Sequence, residues 1–539
     1  VRENPPAPGA RSRAAIPAAL VFLALVAGAS VWLVQPPRAV PEDAPPEVFS
    51  SGRALRHLRE IARRPHPTGS EEHARVRAYV LEQLAALGLS PEVQRAEAVT
   101  RPRAPGAPAA CARVENLLAR LPGTENSRAL MLAVHYDSVP TAPGASDDGA
   151  GVAALLETVR ALRIGPPLKN DLIILVTDAE ELGLLGAEAF VAEHPWMKEV
   201  GLVLNFEARG GGGPSMMFET SEGNGLLVEG LAASAPYPTA SSLMYAAYKQ
   251  LPNDTDMTVF KRAGAAGLNF AYGGRYTHYH TMLDSVEGID QRSLQHHGSY
   301  ALSLARRFGR QDLRQTRAGD AVYFNPFGPY LVRYPETWVA PLTAALVLLC
   351  AGALLYGLRR GRLTWRGMAA GLLLWLLAAA AAGLAAAGVW RAARALHAGY
   401  EFLPWLTPYN LWVYVVGLVT VALGAAGLVY ALLFRRTTAV DLWAGALLWW
   451  VLLLLLSTFA LPAGSFMYAW PLVFALAGLL VVLASGEGNG TREALVVALA
   501  AAPGVALFAP LVYMFFMMMG LDLVGLFVAL VVLALGLCV

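Results

Sequence analysis

The sequence predicts an α/β sandwich with a mostly parallel central sheet, joined to an all-α multispan membrane domain. Three observations predict it. Apolar β-type runs alternate with helical patterns up to about residue 317. Three of those runs, MLAVHYDS (131–138), DLIILVTDAEE (171–181) and GLVLNFEARG (201–210), lead straight into charged residues. Beyond about residue 337 the charges thin out and long apolar segments follow one another.

Composition agrees with that division. A chain of 539 residues is too long for one ordinary domain, and 55% hydrophobic residues with a mean hydropathy of +0.44 is too apolar for a purely soluble protein. A net charge of +2 without a long basic run gives no case for nucleic acid as a partner. Of the three cysteines, Cys350 and Cys538 fall in apolar stretches, which leaves Cys111 without a disulfide framework in the polar half.

In chain order, residues 1–14 read as a cytoplasmic amino terminus and 15–35 as a transmembrane anchor, an uncharged run behind Arg2, Arg11 and Arg13. The alternative is a cleaved signal peptide, but the run is longer than a usual signal core and has no clear small-x-small site before Pro36. A Pro-rich linker, 36–47, is expected to be extended and to hold the next domain off the membrane. That domain, 48–317, opens with a helical pattern at 49–63, the breaker PHPTGS at 65–70, and a second helix from about Glu71 to Leu87, with Ser70 at its start. Helical patterns at 151–162 and 183–194 then alternate with the strands, and GLNFAY (267–272) is the last strand candidate.

Residues 338–539 form the multispan domain of about seven helices, with apolar segments near 338–358, 367–389, 411–434, 442–461, 467–485, 494–516 and 521–538. RRGRLTWR (359–366) and Arg435-Arg436 fall in the cytoplasm if the amino terminus does, whereas Arg391 and Arg394 count against that topology. It puts 48–317 on the non-cytoplasmic side: periplasm, exterior or organelle lumen. The chain ends inside an apolar run, which leaves room for a further carboxyl-terminal part. The spans carry few ionisable residues, so this half reads as an anchor before it reads as a transporter.

Open α/β sheets bind ligands outside the carboxyl ends of their strands, so charged residues at successive strand ends converge on one crevice. In MLAVHYDS a strand period of two puts His135 and Asp137 on one face, a metal ligand and its orienting carboxylate. GASDDGAG (144–151) sets Asp147 beside Asp148, whose mutual repulsion a dication relieves; a solvated turn with a helix-capping Asp is the plainer alternative. TDAEELG (177–183) offers Glu181 as ligand and Glu180 as general base, against acidic residues merely favoured by a helix dipole. NFEARGGGG (205–213) adds Glu207, and THYHTMLDS (277–285) adds His278 and His280 with Asp284 as an orienting group. Each is ambiguous alone; in order at strand ends they supply what a two-metal hydrolase needs.

The series HYDS, GASDDGAG, TDAEELGLLGAEAF, NFEARG and YHTMLDS resembles the di-zinc metallopeptidase family that contains secreted bacterial leucyl aminopeptidases, glutamate carboxypeptidase, glutaminyl cyclase, vacuolar membrane protease and endoplasmic reticulum metallopeptidase. The stretch 54–89 with its PHPTGS turn is also similar, so the resemblance covers roughly residues 50 to 310. It implies a zinc-exopeptidase-like fold and two Zn²⁺ per chain: His135 and Glu207 on one, Glu181 and His280 on the other, Asp147 bridging. Glu180 would be the general base and Asp137 the carboxylate behind the ligands. Many secreted members have Asp where this chain has Glu207, so the resemblance points to the membrane-anchored branch. The implied reaction is peptide-bond hydrolysis, as an aminopeptidase, by a zinc-activated water whose proton Glu180 moves. The implied partners are a peptide or protein substrate and membrane lipid. The Asp147-Asp148 bond is often cis in the family, and LPNDTDMTVF (251–260) suggests that Asp254 or Asp256 faces the substrate. Glutaminyl cyclisation on one zinc and a non-catalytic receptor or scaffold remain alternative readings.

Overall fold

The structure, a computed structural model, describes residues 10–100, 109–403, 408–433, 437–485 and 490–521, with a few positions beyond. It divides into two units: a sheet unit, 35–325 with 329–335, and a helical unit, 1–34 and 336–539 with 326–328.

In the sheet unit, two helices, α2 (Ser51–Ile61) and α3 (Glu71–Ala86), precede the sheet after the amino-terminal helix α1 (Ala10–Leu33). The cap expected at Ser70 is present, its side chain accepting from the backbone N–H of His73 at 3.1 Å. The strands are β1 (Glu92–Val99), β2 (Cys111–Leu121), β3 (Ala129–His135), β4 (Leu172–Thr177), β5 (Val200–Ala208), β6 (Met216–Thr220) and β7 (Ala266–Tyr272). They form one sheet in the order β1-β2-β4-β3-β5-β7-β6. The four inner strands β4, β3, β5 and β7 run parallel, and β1, β2 and β6 join antiparallel at the edges.

Every residue of β3, β4 and β5 is buried, because helices cover both faces. That is why these strands read as unbroken apolar runs. The helices are α4 (Gly151–Ile164), α5 (Leu185–Glu193), α6 (Gly225–Ser234), α7 (Ser242–Tyr248), α8 (Asp256–Arg262) and α9 (Gln291–Phe308). Leu130, Leu132 and Val134 pack on one face with α4 and α9, while Met131 and Ala133 pack on the other with α5 and α8. The chain leaves β3 for β4 on one side and later returns to β5 on the other. The carboxyl end of β3, where His135 stands, is thus a topological switch point.

The Pro-rich segment, expected as an extended linker, is tied to this unit. The buried Arg53 guanidinium donates to the carbonyls of Glu42 (2.7 Å), Ala44 (2.9 Å) and Val48 (2.8 Å), and its Nε donates to Glu157 Oε1 at 2.8 Å. Beyond Arg317 a hairpin, β8 (Ala321–Phe327) and β9 (Tyr330–Pro335), adds a small second sheet.

The helical unit contains α1 together with α10 (Val339–Arg359), α11 (Trp365–Leu396), α12 (Leu411–Leu433), α13 (Ala439–Ala460), α14 (Phe466–Ala484) and α15 (Gly490–Met519). Among the described residues, seven helices are long and apolar enough to cross a membrane. The span expected at 521–538 lies largely outside the described residues, as do Arg435 and Arg436. The buried Asp441 accepts the Thr364 N–H at 2.7 Å and so closes the start of α11.

Candidate metal centre

Four loops leave the parallel strands at one end and bring seven side chains together. His135 ends β3, and its Nδ1 donates to the backbone carbonyl of Asp137 at 3.0 Å. That bond fixes the tautomer and turns Nε2 outward as an acceptor. Nε2 lies 3.2 Å from Asp147 Oδ1 and 3.6 Å from Glu207 Oε2, Glu207 coming from β5. On the other side, Asp147 Oδ2 lies 3.2 Å from His280 Nε2, which is also 3.2 Å from Glu181 Oε1. Two donor sets result, His135–Asp147–Glu207 and Asp147–Glu181–His280, and they share one carboxylate.

The spacings fit zinc. His nitrogen and carboxylate oxygen bind it at about 2 Å in a tetrahedron, which sets two donors of one ion roughly 3.3 Å apart. His280 Nε2 and Glu181 Oε1 are buried and 3.2 Å apart, yet neither has a hydrogen-bond partner among the described residues. Two orphaned donor atoms aimed at a common point are what a metal ion would satisfy.

Charge points the same way. Burial, with the neighbouring Asp147 charge, pushes the Glu181 and Asp284 carboxyls up to about 7. Burial also pushes Glu180 well above the carboxylate range; His135 pulls it back, and Glu207, Glu181 and Asp256 add to the rise. Burial alone would lower His280, yet Asp147 and Glu181 carry it up to about 10. The crevice holds more carboxylate than its own imidazoles can neutralise, and dications would relieve it.

The structure divides the paired acids of the sequence between two tasks. Asp147 faces the centre. Asp148, across a cis peptide bond, accepts from the N–H groups of Gly151 (3.0 Å) and His135 (3.3 Å), tying α4 to β3. Asp148 thus makes the backbone hydrogen bonds of a capping residue, whereas Asp147 belongs to both donor sets. Asp137 accepts from the N–H of Glu180 (3.0 Å) and of Glu181 (3.2 Å). One carboxylate therefore orients the whole Glu180-Glu181 pair, and its Oδ1 also lies 3.4 Å from His135 Nδ1, beside the carbonyl bond already described. Asp284 accepts from the N–H of Ser146 (2.7 Å) and of Asp147 (3.2 Å), so it positions the shared carboxylate instead of a histidine. His278 belongs to neither donor set.

Further residues surround these donors, and of them the sequence had singled out only Asp256. The Thr68 hydroxyl of PHPTGS lies 3.4 Å from Asp137 Oδ2 and 3.2 Å from Asp178 Oδ1, which gives that turn a physical purpose. Asp256, of the pair Asp254 and Asp256, is buried and takes a hydrogen bond from Thr177 at the end of β4. Tyr279 stacks on the His280 ring at 3.8 Å, and Thr141 donates to the His280 carbonyl at 2.9 Å, holding a residue whose φ is +58°.

The Glu180-Glu181 turn depends on Gly186. Asn116 donates to the Gly186 carbonyl at 2.8 Å and accepts from the Asp178 N–H at 3.0 Å, and a Cβ at 186 would stand 2.3 Å from the Asp178 carbonyl. Gly186→Ala is therefore expected to cost about 1–3 kcal/mol by overpacking. A lower melting temperature and weaker metal retention are the readouts; an unchanged melting temperature would contradict this account.

Residues 116–305 match the model of Peptidase family M28. The chain is 30% identical over 298 residues to the vacuolar membrane protease of Candida dubliniensis, covering 54% of this chain and 32% of that protein. It is 30% identical over 232 residues to endoplasmic reticulum metallopeptidase 1 of Rattus norvegicus, covering 41% and 26%. The matched stretch thus spans about a third or less of these relatives. A solved aminopeptidase from Aneurinibacillus sp. strain AM-1 is 16% identical, with a TM-score of 0.42, over 50% of this chain and 97% of its own.

Proposed function

We propose that this chain is a membrane-anchored zinc aminopeptidase that hydrolyses peptide bonds with two metal ions and Glu180 as general base. The observation that carries it is the shared carboxylate: Asp147 turns one oxygen to His135 and the other to His280, each at 3.2 Å. One ion would be held by His135, Asp147 and Glu207, the other by Asp147, Glu181 and His280. Zinc bound there would supply Lewis-acid polarisation of the scissile carbonyl and a lowered pKa for water.

The remaining steps fall to the chain's own residues. Glu180 neighbours Glu181 in sequence, and its backbone is clamped by Asp137, so its carboxylate is held beside the donor sets. It takes the proton of the attacking water and passes it to the departing amine. Surrounding carboxylates suit a free peptide amino terminus, which is cationic, and that supports aminopeptidase action. His280 is the open side of the centre, 35% exposed against 1% for His135, so substrate would enter past its loop. The multispan unit is an anchor in lipid, and the arginines of 359–366 support a sheet unit on the non-cytoplasmic side.

The test is zinc content of the purified full chain alongside hydrolysis of aminoacyl chromogenic substrates. About two zincs per chain with chelator-sensitive turnover is the expected result. One zinc with cyclisation of amino-terminal glutamine would favour the cyclase reading, and a metal-free wild type would leave a scaffold.

A further inference from the structure

We propose that Asn205, Asn269, Glu219 and Lys261 are positioning residues, a cross-strand polar relay that fixes which oxygen of Glu207 faces the metal centre. The inference rests on reading His135, Asp147 and Glu207 as one donor set.

The relay follows from register. Asn205 and Glu207 are two apart on β5 and share a face. Asn205 pairs with Asn269 on β7, and Asn269 pairs with Glu219 on β6. Three adjacent strands thus place polar side chains in one row. Asn205 Nδ2 donates to Glu207 Oε1 at 3.1 Å and to Asn269 Oδ1 at 3.0 Å. Asn269 Nδ2 donates in turn to Glu219 Oε2 at 2.9 Å and to Thr255 Oγ1 at 2.9 Å. Lys261 of α8 closes the row, its Nζ 2.6 Å from Glu219 Oε1.

Asn205 and Asn269 are fully buried, and Glu219 and Glu207 nearly so. An apolar row would serve packing better here, since burying polar groups is costly and Asn205 Oδ1 is itself buried without a hydrogen-bond partner among the described residues. Glu219 in particular is a buried charge that requires Lys261. What the row achieves is orientation. Both acceptors of the Asn205 amide are oxygens, so only its nitrogen can face them. With Oε1 of Glu207 engaged by that nitrogen, Oε2 is the oxygen left toward His135, at 3.6 Å. Partners behind a metal ligand set its direction, and their loss typically weakens metal binding about 10- to 100-fold. Because Glu181 and His280 lie outside the relay, the effect should be confined to one of the two metal positions.

The test uses the full chain in detergent, with zinc affinity measured by chelator competition and the visible spectrum recorded after cobalt loading. In Asn205→Leu, one of two zinc equivalents should weaken about 10- to 100-fold, the other remain as in wild type, and the cobalt spectrum change. Glu219→Gln, at the far end, keeps its shape and should weaken the same equivalent by less; it carries the test alone if Asn205→Leu does not fold. Wild-type affinity for both equivalents with an unchanged spectrum would overturn the relay, as would equal weakening of both. A wild type that binds no zinc would overturn the proposed function first, and this inference with it.

Discussion

Glu180→Gln is expected to lower kcat about 100- to 10,000-fold while leaving KM and zinc content as in wild type. The substitution is isosteric and keeps the backbone N–H that Asp137 accepts at 3.0 Å, so the turn carrying Glu181 should hold its shape. What it removes is the carboxylate that receives a proton. Turnover of aminoacyl chromogenic substrates and zinc per chain should be measured on the same preparation. Undiminished turnover would remove Glu180 from the reaction; loss of zinc together with turnover would make it a structural or ligating group.

Asp147→Asn should be the most damaging change to metal binding, because one side chain serves both donor sets. Zinc sites bind with about 10–16 kcal/mol over four donors, so one donor is worth roughly 3 kcal/mol, or roughly a hundredfold in affinity. The asparagine oxygen can still face one imidazole, but its NH₂ must then face the other, and an NH₂ cannot ligate. One zinc should be lost outright and the second weakened. Dialysis against a zinc buffer followed by metal analysis would reveal one zinc or none where wild type keeps two. Retention of both at wild-type affinity would mean that Asp147 is not shared.

The contrast between these two acids and their sequence neighbours shows how far the residues could be read alone. Asp147 and Asp148 are chemically equal in the sequence, and nothing in GASDDGAG says which faces the crevice. The fold separates them, giving Asp148 two backbone N–H groups and Asp147 two imidazoles. Asp284 was legible as an orienting group, but its target was not: it holds the backbone of Asp147, 137 residues away in sequence. Asn205 offered no signal beyond standing two residues before Glu207, because its partner lies on another strand.

The parallel inner strands were legible because burial on both faces demands continuous apolar runs, which few other elements show. The antiparallel strands β1, β2 and β6 were not named in advance. β1 mixes polar and apolar residues, as a half-exposed edge does, and β6 has only five residues. The prolines of the linker announce an extended chain, and only the fold reveals the buried Arg53 that collects its carbonyls.

By itself, then, the sequence determined the alternation of strand and helix, the apolar helices, and the set of acids and imidazoles at the strand ends. These are properties of local pattern, carried by residues within a few positions of one another. Tertiary structure alone decided which oxygen meets which nitrogen, which acid joins a donor set and which supports it from behind. Those choices depend on strand order and register, which bring together side chains more than a hundred residues apart, and no local pattern encodes a distance of 3.2 Å across that gap.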